Sequence, residues 1–187
     1  LDIHGGEPLL SSIQQHHELL DYYIDSGQAA NISIHYTTNA TIFPDSDWTQ
    51  RWMHFKEIDI QFSIDGIEHR YEYVRYPADW SELNRVLDQY LEFQQQQSNI
   101  KLSVAHTVSA FNVYYLEEFW TWCQRRGLPE PWMGRLSRPL HLRSSVWPDL
   151  AKSAIVNKLL SCTIESVQVW ANVLQTTDDS QLFLQFQ

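Results

Sequence analysis

The chain alternates short stretches of period-two hydrophobicity with longer stretches of near-3.6 period, and that alternation leaves few folds open to it. The clearest short stretch is 58–64, where Ile58, Ile60, Phe62 and Ile64 alternate with Asp59, Gln61 and Ser63 before Asp65-Gly66 breaks the run. A period of two puts alternate side chains on opposite faces of a strand. Further strands are read at the start of the chain (ending near His4), at 32–36, at 100–108 and at 132–136. Between them lie helical patterns. Leu10, Ile13, Leu20 and Ile24 recur on one face and stop at Gly27, and Trp48, Trp52 and Phe55 share a face after Pro44-Asp45. Asp79 and Glu82 carry the spacing of a capping box for a long helix with Trp80, Leu83, Leu87, Tyr90 and Leu91 inward. Leu116, Phe119, Trp120 and Cys123 form another face, closed by Arg125-Arg126-Gly127. Pro148 opens a helix through Leu160, and Ile164, Val167, Ala171 and Leu174 suggest one more. Residues 182–186 read as a strand or a frayed end. Strand and helix in turn imply βα units and a parallel sheet.

The expected class is therefore α/β, in a single domain over 1–187, with strands in 1–140 and a C-terminal helical extension over 141–187. A closed eight-stranded barrel takes about 250 residues, so 187 residues suit an open sheet or a partial barrel. The first residues already read as a strand and the chain does not begin with Met, so further sequence upstream is expected.

Composition narrows the partners. A net charge of −10 and a pI near 5.1 disfavour binding to phosphate backbones, so no nucleic acid is expected. Arg125, Arg126, Arg135, Arg138 and Arg143 read as cations at a helix end and a loop. No apolar run approaches the ~20 residues that span a bilayer, so no membrane partner is expected. Two cysteines, Cys123 and Cys162, are too few for a disulfide framework and suit a reducing, cytoplasmic compartment. Both read as small buried residues. His16 and His17 are adjacent, and adjacent helical positions face different ways, so no metal site is expected there.

Parallel α/β folds bind ligands at the C-terminal ends of their strands. Those ends read His4-Gly5-Gly6-Glu7-Pro8, Thr37-Thr38-Asn39, Ser63-Ile64-Asp65-Gly66 and His106-Thr107. Gly5 and Gly6 would let backbone approach a ligand closely. Glu7 would place a carboxylate at the same rim, suited to an ammonium or a ribose hydroxyl, and Pro8 would fix the entry to the helix that follows. A helix-starting Glu after a glycine turn explains the same residues structurally.

These motifs carry a resemblance. Residues 1–10 resemble the second strand and GGEP motif of the radical S-adenosylmethionine superfamily. Thr38-Asn39-Ala40 resembles the ending of that family's third strand. Phe62-Ser63-Ile64-Asp65-Gly66, followed by His69 and Arg75, resembles a fourth-strand segment typical of members with a SPASM or shortened twitch domain. Residues 104–112 resemble the fifth strand.

The resemblance implies an incomplete (β/α)6 partial barrel. It implies S-adenosylmethionine as cofactor, with Gly5, Gly6, Glu7 and Pro8 around its amino group, Ser63 and Asp65 near its ribose or carboxylate, and Asn39 and His106 on the same cavity. It also implies a [4Fe-4S] cluster that cleaves the cofactor reductively to a 5′-deoxyadenosyl radical, a protein reductant, and possible action on a peptide or protein side chain. No catalytic residue is assigned. The family's C-x3-C-x2-C loop is not in this sequence, so the chain by itself is expected to be inactive. A barrel that serves as a binding or scaffold module, or an unrelated α/β nucleotide-binding enzyme, remains the alternative.

Overall fold

The computed structural model describes residues 1–3, 7–10 and 13–186. Its one sheet has five parallel strands in the order β1-β2-β3-β4-β5, each beside its predecessor in sequence and alternating with helices. The strands are β1 (Asp2–Ile3), β2 (Ser33–Thr38), β3 (Glu57–Ser63), β4 (Ile100–Val108) and β5 (Trp132–Arg135). The helices are α1 (Ile13–Asp25), α2 (Ser46–Trp52), α3 (Glu68–Val74), α4 (Trp80–Gln96), α5 (Leu116–Arg125), α6 (Asp149–Ser161) and α7 (Glu165–Thr176). The expected α/β class is what the chain adopts.

Local signals explain most boundaries. Asp45 caps α2 by accepting from the Asp47 and Trp48 amides. Asp79 caps α4, with its Oδ1 2.8 Å from the Glu82 nitrogen. The reciprocal half of that capping box is missing, because Glu82 pairs with Arg85 on the next turn instead. Gly27 and Gly127 end α1 and α5 at φ +71° and +72°, a region that costs glycine little.

Three expectations are corrected. Leu10 is exposed in a turn ahead of α1, not on its inner face. Phe55 is buried beyond the end of α2. Residues 182–186 belong to neither strand nor frayed end but to 3-10 turns spanning Ser180–Phe186. Helix α3 was not signalled: α2 is equally short but opens on the Asp45 cap, whereas α3 starts after Ile67 with no side-chain cap.

The chain divides into two compact units. The first comprises Leu1–Ser63 and Ala78–Val104. One face of its strands buries Ile34, Tyr36, Ile58, Ile60, Phe62, Leu102 and Val104. Under it lies an aromatic cluster in which the Tyr36 hydroxyl accepts from Trp52 Nε1 at 3.2 Å and contacts His16 Nε2 at 2.8 Å. Arg51 ties α2 to α1 by a two-pronged ion pair to Asp21, at 2.7 and 3.0 Å. The second unit comprises Ile64–Pro77 and the chain from Ala105 onward. Its core joins Val108, Val113 and Leu116 to Ile155, Leu159, Val167, Trp170 and Leu174 of α6 and α7. Cys123 and Cys162 are buried free thiols, and burial pushes the Cys123 thiol up to about 12. Of the arginines, Arg135 and Arg143 both lie 3.7 Å from Asp179. Among the described residues, no helix is long and apolar enough to cross a membrane.

Burial also sets a pH dependence. His106 is fully enclosed, and the loss of hydration for its cation lowers its pKa from 6.5 to about 4. Between those values the unfolded chain binds a proton that the folded chain excludes. Stability is therefore complete above pH 6.5 and falls as pH drops toward 4, by on the order of 3 kcal/mol for this residue. Partly buried His16, lowered to about 4 by burial and then by the neighbouring His17, adds in the same direction. Urea midpoints measured across this window should fall with acidity, and His106→Phe should flatten the slope.

Candidate functional site

The candidate site is built from what stands at the strand ends of each unit. In the first unit, Glu7, Pro8, Leu9 and Leu10 form a turn closed by the Leu10 amide donating to the Glu7 carbonyl at 3.1 Å. Pro8 sits second in that turn, where its fixed φ is preorganised. The turn delivers the Glu7 carboxylate to the end of β2. Its Oε1 accepts from the Thr38 hydroxyl at 2.7 Å and its Oε2 from the Asn39 backbone amide at 2.8 Å. Ala40, next along, is fully buried at φ +54°, outside the usual range for a side chain with a Cβ. Its amide donates to Thr38 Oγ1 at 3.1 Å, so the Thr-Asn-Ala ending is a tight, specifically bonded turn. Glu7 is thus not a helix-starting carboxylate; it is anchored to β2. The expected contributions of His4, Gly5 and Gly6 lie outside the described residues. Ser63 ends β3 on the same face as Asp59 and Gln61.

In the second unit, Asp65 organises the ends of β3 and β4. Its Oδ1 accepts from the Thr107 amide at 2.6 Å, and its Oδ2 pairs with Arg75 at 2.7 Å. The Asp and Arg of the fourth-strand motif therefore meet in space. Asn112 completes the frame. Its Nδ2 donates to the Asp65 and Thr107 carbonyls at 3.0 and 2.9 Å, and its Oδ1 accepts from the Ser109 amide at 2.8 Å. Gly66 makes a close approach, since a Cβ there would lie 3.2 Å from the Tyr71 backbone nitrogen, tighter than an ordinary contact. A cavity of about 340 Å3 opens beside this frame, lined by Asp65, Tyr73, Thr107, Ser109, Phe111 and Leu142.

His106 is not where the sequence reading put it. On β4 it alternates with Ala105 and Thr107 and so falls on the covered face. Its Nδ1 donates to the Ile64 carbonyl at 2.9 Å and its ring lies 4.2 Å from Phe119. With 1% of its surface exposed, it packs in the core.

Among the described residues, no group of three or more His, Cys, Asp or Glu could hold a metal ion. Cys123 lies on α5 and Cys162 at the end of α6, both buried. This chain's own residues therefore do not fit an iron–sulfur cluster. The Glu7 carboxylate is the kind of group an ammonium pairs with; its Oε1 accepts from the Thr38 hydroxyl and from the Leu9 amide at 3.4 Å, and its Oε2 from the Asn39 amide.

The polar frame at Asn112 sets a stability prediction. Asn112→Ala leaves the Ser109 amide and two carbonyls without their partner inside the fold, so unfolding free energy should drop by about 3 kcal/mol in a urea titration.

No protein-family model and no curated protein matches the chain. Solved structures do. Native anSMEcpe with bound AdoMet and Kp18Cys peptide aligns with a TM-score of 0.63 at 14% identity, over 86% of this chain and 44% of that one. Native anSMEcpe with bound AdoMet gives 0.62 at 16% identity, over 85% and 43%. The complex with AdoMet and Cp18Cys peptide gives 0.57 at 14%, over 71% and 36%. The chain spans less than half the length of these structures. At such identities the likeness is one of fold: parallel strands alternating with helices are shared with anSMEcpe.

Proposed function

We propose that this chain is the cofactor-binding part of a radical S-adenosylmethionine enzyme that acts on a peptide or protein side chain in the cytoplasm. The observation that carries the reading is the Glu7 carboxylate, directly after Gly5-Gly6 and held at the end of β2 by Thr38 and Asn39. A carboxylate preorganised in this way binds a cation without first having to order itself. The fold shared with AdoMet-bound structures supports the same reading, and the peptides in two of them support a peptide substrate.

In this reading the backbone of Gly5 and Gly6 approaches the methionine end of S-adenosylmethionine, and Glu7 accepts from its ammonium. Asn39 and Ser63 line the same cofactor. Asp65 is bonded to Thr107 and Arg75, and His106 is left out of the cofactor set. With a [4Fe-4S] cluster held by other sequence, the bound cofactor would supply hydrogen-abstraction chemistry. The cluster ligands, and the surface for a reductant protein, would belong to sequence outside this chain.

Isothermal titration with S-adenosylmethionine tests the proposal. Glu7→Gln keeps the size of the side chain and removes its charge, and should weaken binding at least about tenfold, or about 1.4 kcal/mol. Asn39→Ala, which retains the backbone amide bonded to Glu7, should have the smaller effect. An affinity unchanged in Glu7→Gln would rule out the assigned role and favour a barrel that binds some other ligand.

A further inference from the structure

The face of the sheet turned away from the first unit's aromatic core is unusual. Parallel sheets are normally apolar and covered on both sides. Here Ser33, His35 and Thr37 of β2 lie beside Glu57, Asp59 and Gln61 of β3 in direct register, and none of the six is buried. Lys101 and Ser103 of β4 extend the pattern, Lys101 pairing with Glu57.

Within this polar face, one row has the geometry of a proton acceptor. His35 Nδ1 lies 2.8 Å from Asp59 Oδ2, and Asp59 Oδ1 accepts from the Ser103 hydroxyl at 3.0 Å. The carboxylate can only accept, so the imidazole proton sits on Nδ1 and the lone pair on Nε2. Nε2 has the Thr37 hydroxyl at 3.5 Å, the outer limit of a hydrogen bond. Thr37 lies two residues nearer the C-terminal end of β2, so the lone pair is turned toward the end where ligands of parallel α/β folds bind. The His35 and Asp59 side chains remain 29% and 33% exposed. A pair kept only for stability gains little from such a half-desolvated position.

We propose that His35 is a proton-accepting site for a hydroxyl- or amine-bearing ligand lying on this face, with Asp59 and Ser103 as its positioning residues. The ligand's O–H or N–H gives its proton to Nε2. The bonding electron pair stays on the ligand oxygen or nitrogen, and the Asp59 carboxylate at Nδ1 stabilises the imidazolium. The proposal rests on the functional reading above only in taking the bare face as the ligand-facing one.

The test uses diethyl pyrocarbonate, which acylates an accessible unprotonated imidazole nitrogen, with modified histidines mapped by mass spectrometry near neutral pH. His35 should react at least about tenfold faster than the enclosed His106, and Asp59→Asn should slow His35 about fivefold by releasing its tautomer. Nitrogen-15 imidazole spectra should show the Nδ1–H tautomer in the native chain and its loss in Asp59→Asn. Should Asp59→Asn not fold, Ser103→Ala leaves the His–Asp pair in place and should give a smaller slowing in the same direction. A His35 no more reactive than His106, a native Nε2–H tautomer, or a reactivity indifferent to both variants would overturn the proposal. The experiment needs no cofactor, so its failure is separable from failure of S-adenosylmethionine to bind.

Discussion

The first unit depends on how its parallel strands divide their two faces. The apolar set, Ile34, Tyr36, Ile58, Ile60 and Phe62, lies on the side of the aromatic cluster and is closed to solvent. The alternate set is polar and open. A parallel strand buried on both faces would read as a continuous apolar run; these strands cannot do so without losing their polar face. Burying the apolar side supplies the main driving force for folding. The polar side is then held at fixed spacing by the strand register, which is what aligns His35 with Asp59.

The strand ends follow a second rule. Two of them carry a carboxylate whose oxygens hold neighbouring groups in place. Glu7 holds the Thr38-Asn39 ending of β2. Asp65 holds Thr107 and Arg75. The two nevertheless differ in what they leave available. Asp65 is 9% exposed and tied into a frame with Asn112, so its contribution is rigidity. Glu7 is only partly buried and anchors the end of β2 through both oxygens. Binding geometry held by such bonds comes with its ordering cost already met in the folded state.

The buried histidines show the opposite use of a titratable group. His106 and His16 are kept neutral by burial and serve as flat, polar-edged core residues against Phe119 and Trp48. His35, of the same chemical type, keeps 29% of its side chain exposed and has a carboxylate at its Nδ1. The side chain alone does not distinguish these roles; its face and its neighbours do.

Much of the fold was legible in sequence because it rests on local periodicity and capping. The strand over 100–108, the Asp79 cap, the glycine stops at 27 and 127 and the helix over 149–161 follow from residues within a few positions of one another. The strand-end reading likewise placed Glu7, Asn39 and Asp65 beside strand ends, where their hydrogen bonds put them. The errors came where one position either way changes the answer. His106 lies a single residue from Thr107, and that single step moves a side chain from the open face to the core. Leu10 has the right spacing for α1 but falls in the turn before it. The His35–Asp59–Ser103 row was invisible in sequence, since its members are 24 and 44 residues apart. Sequence by itself determined which segments become strands and helices and which residues stand at strand ends, because those depend on short-range sterics and the burial of apolar faces. Only the tertiary structure decided which polar residues meet, because strand register is set by packing between segments distant in the chain.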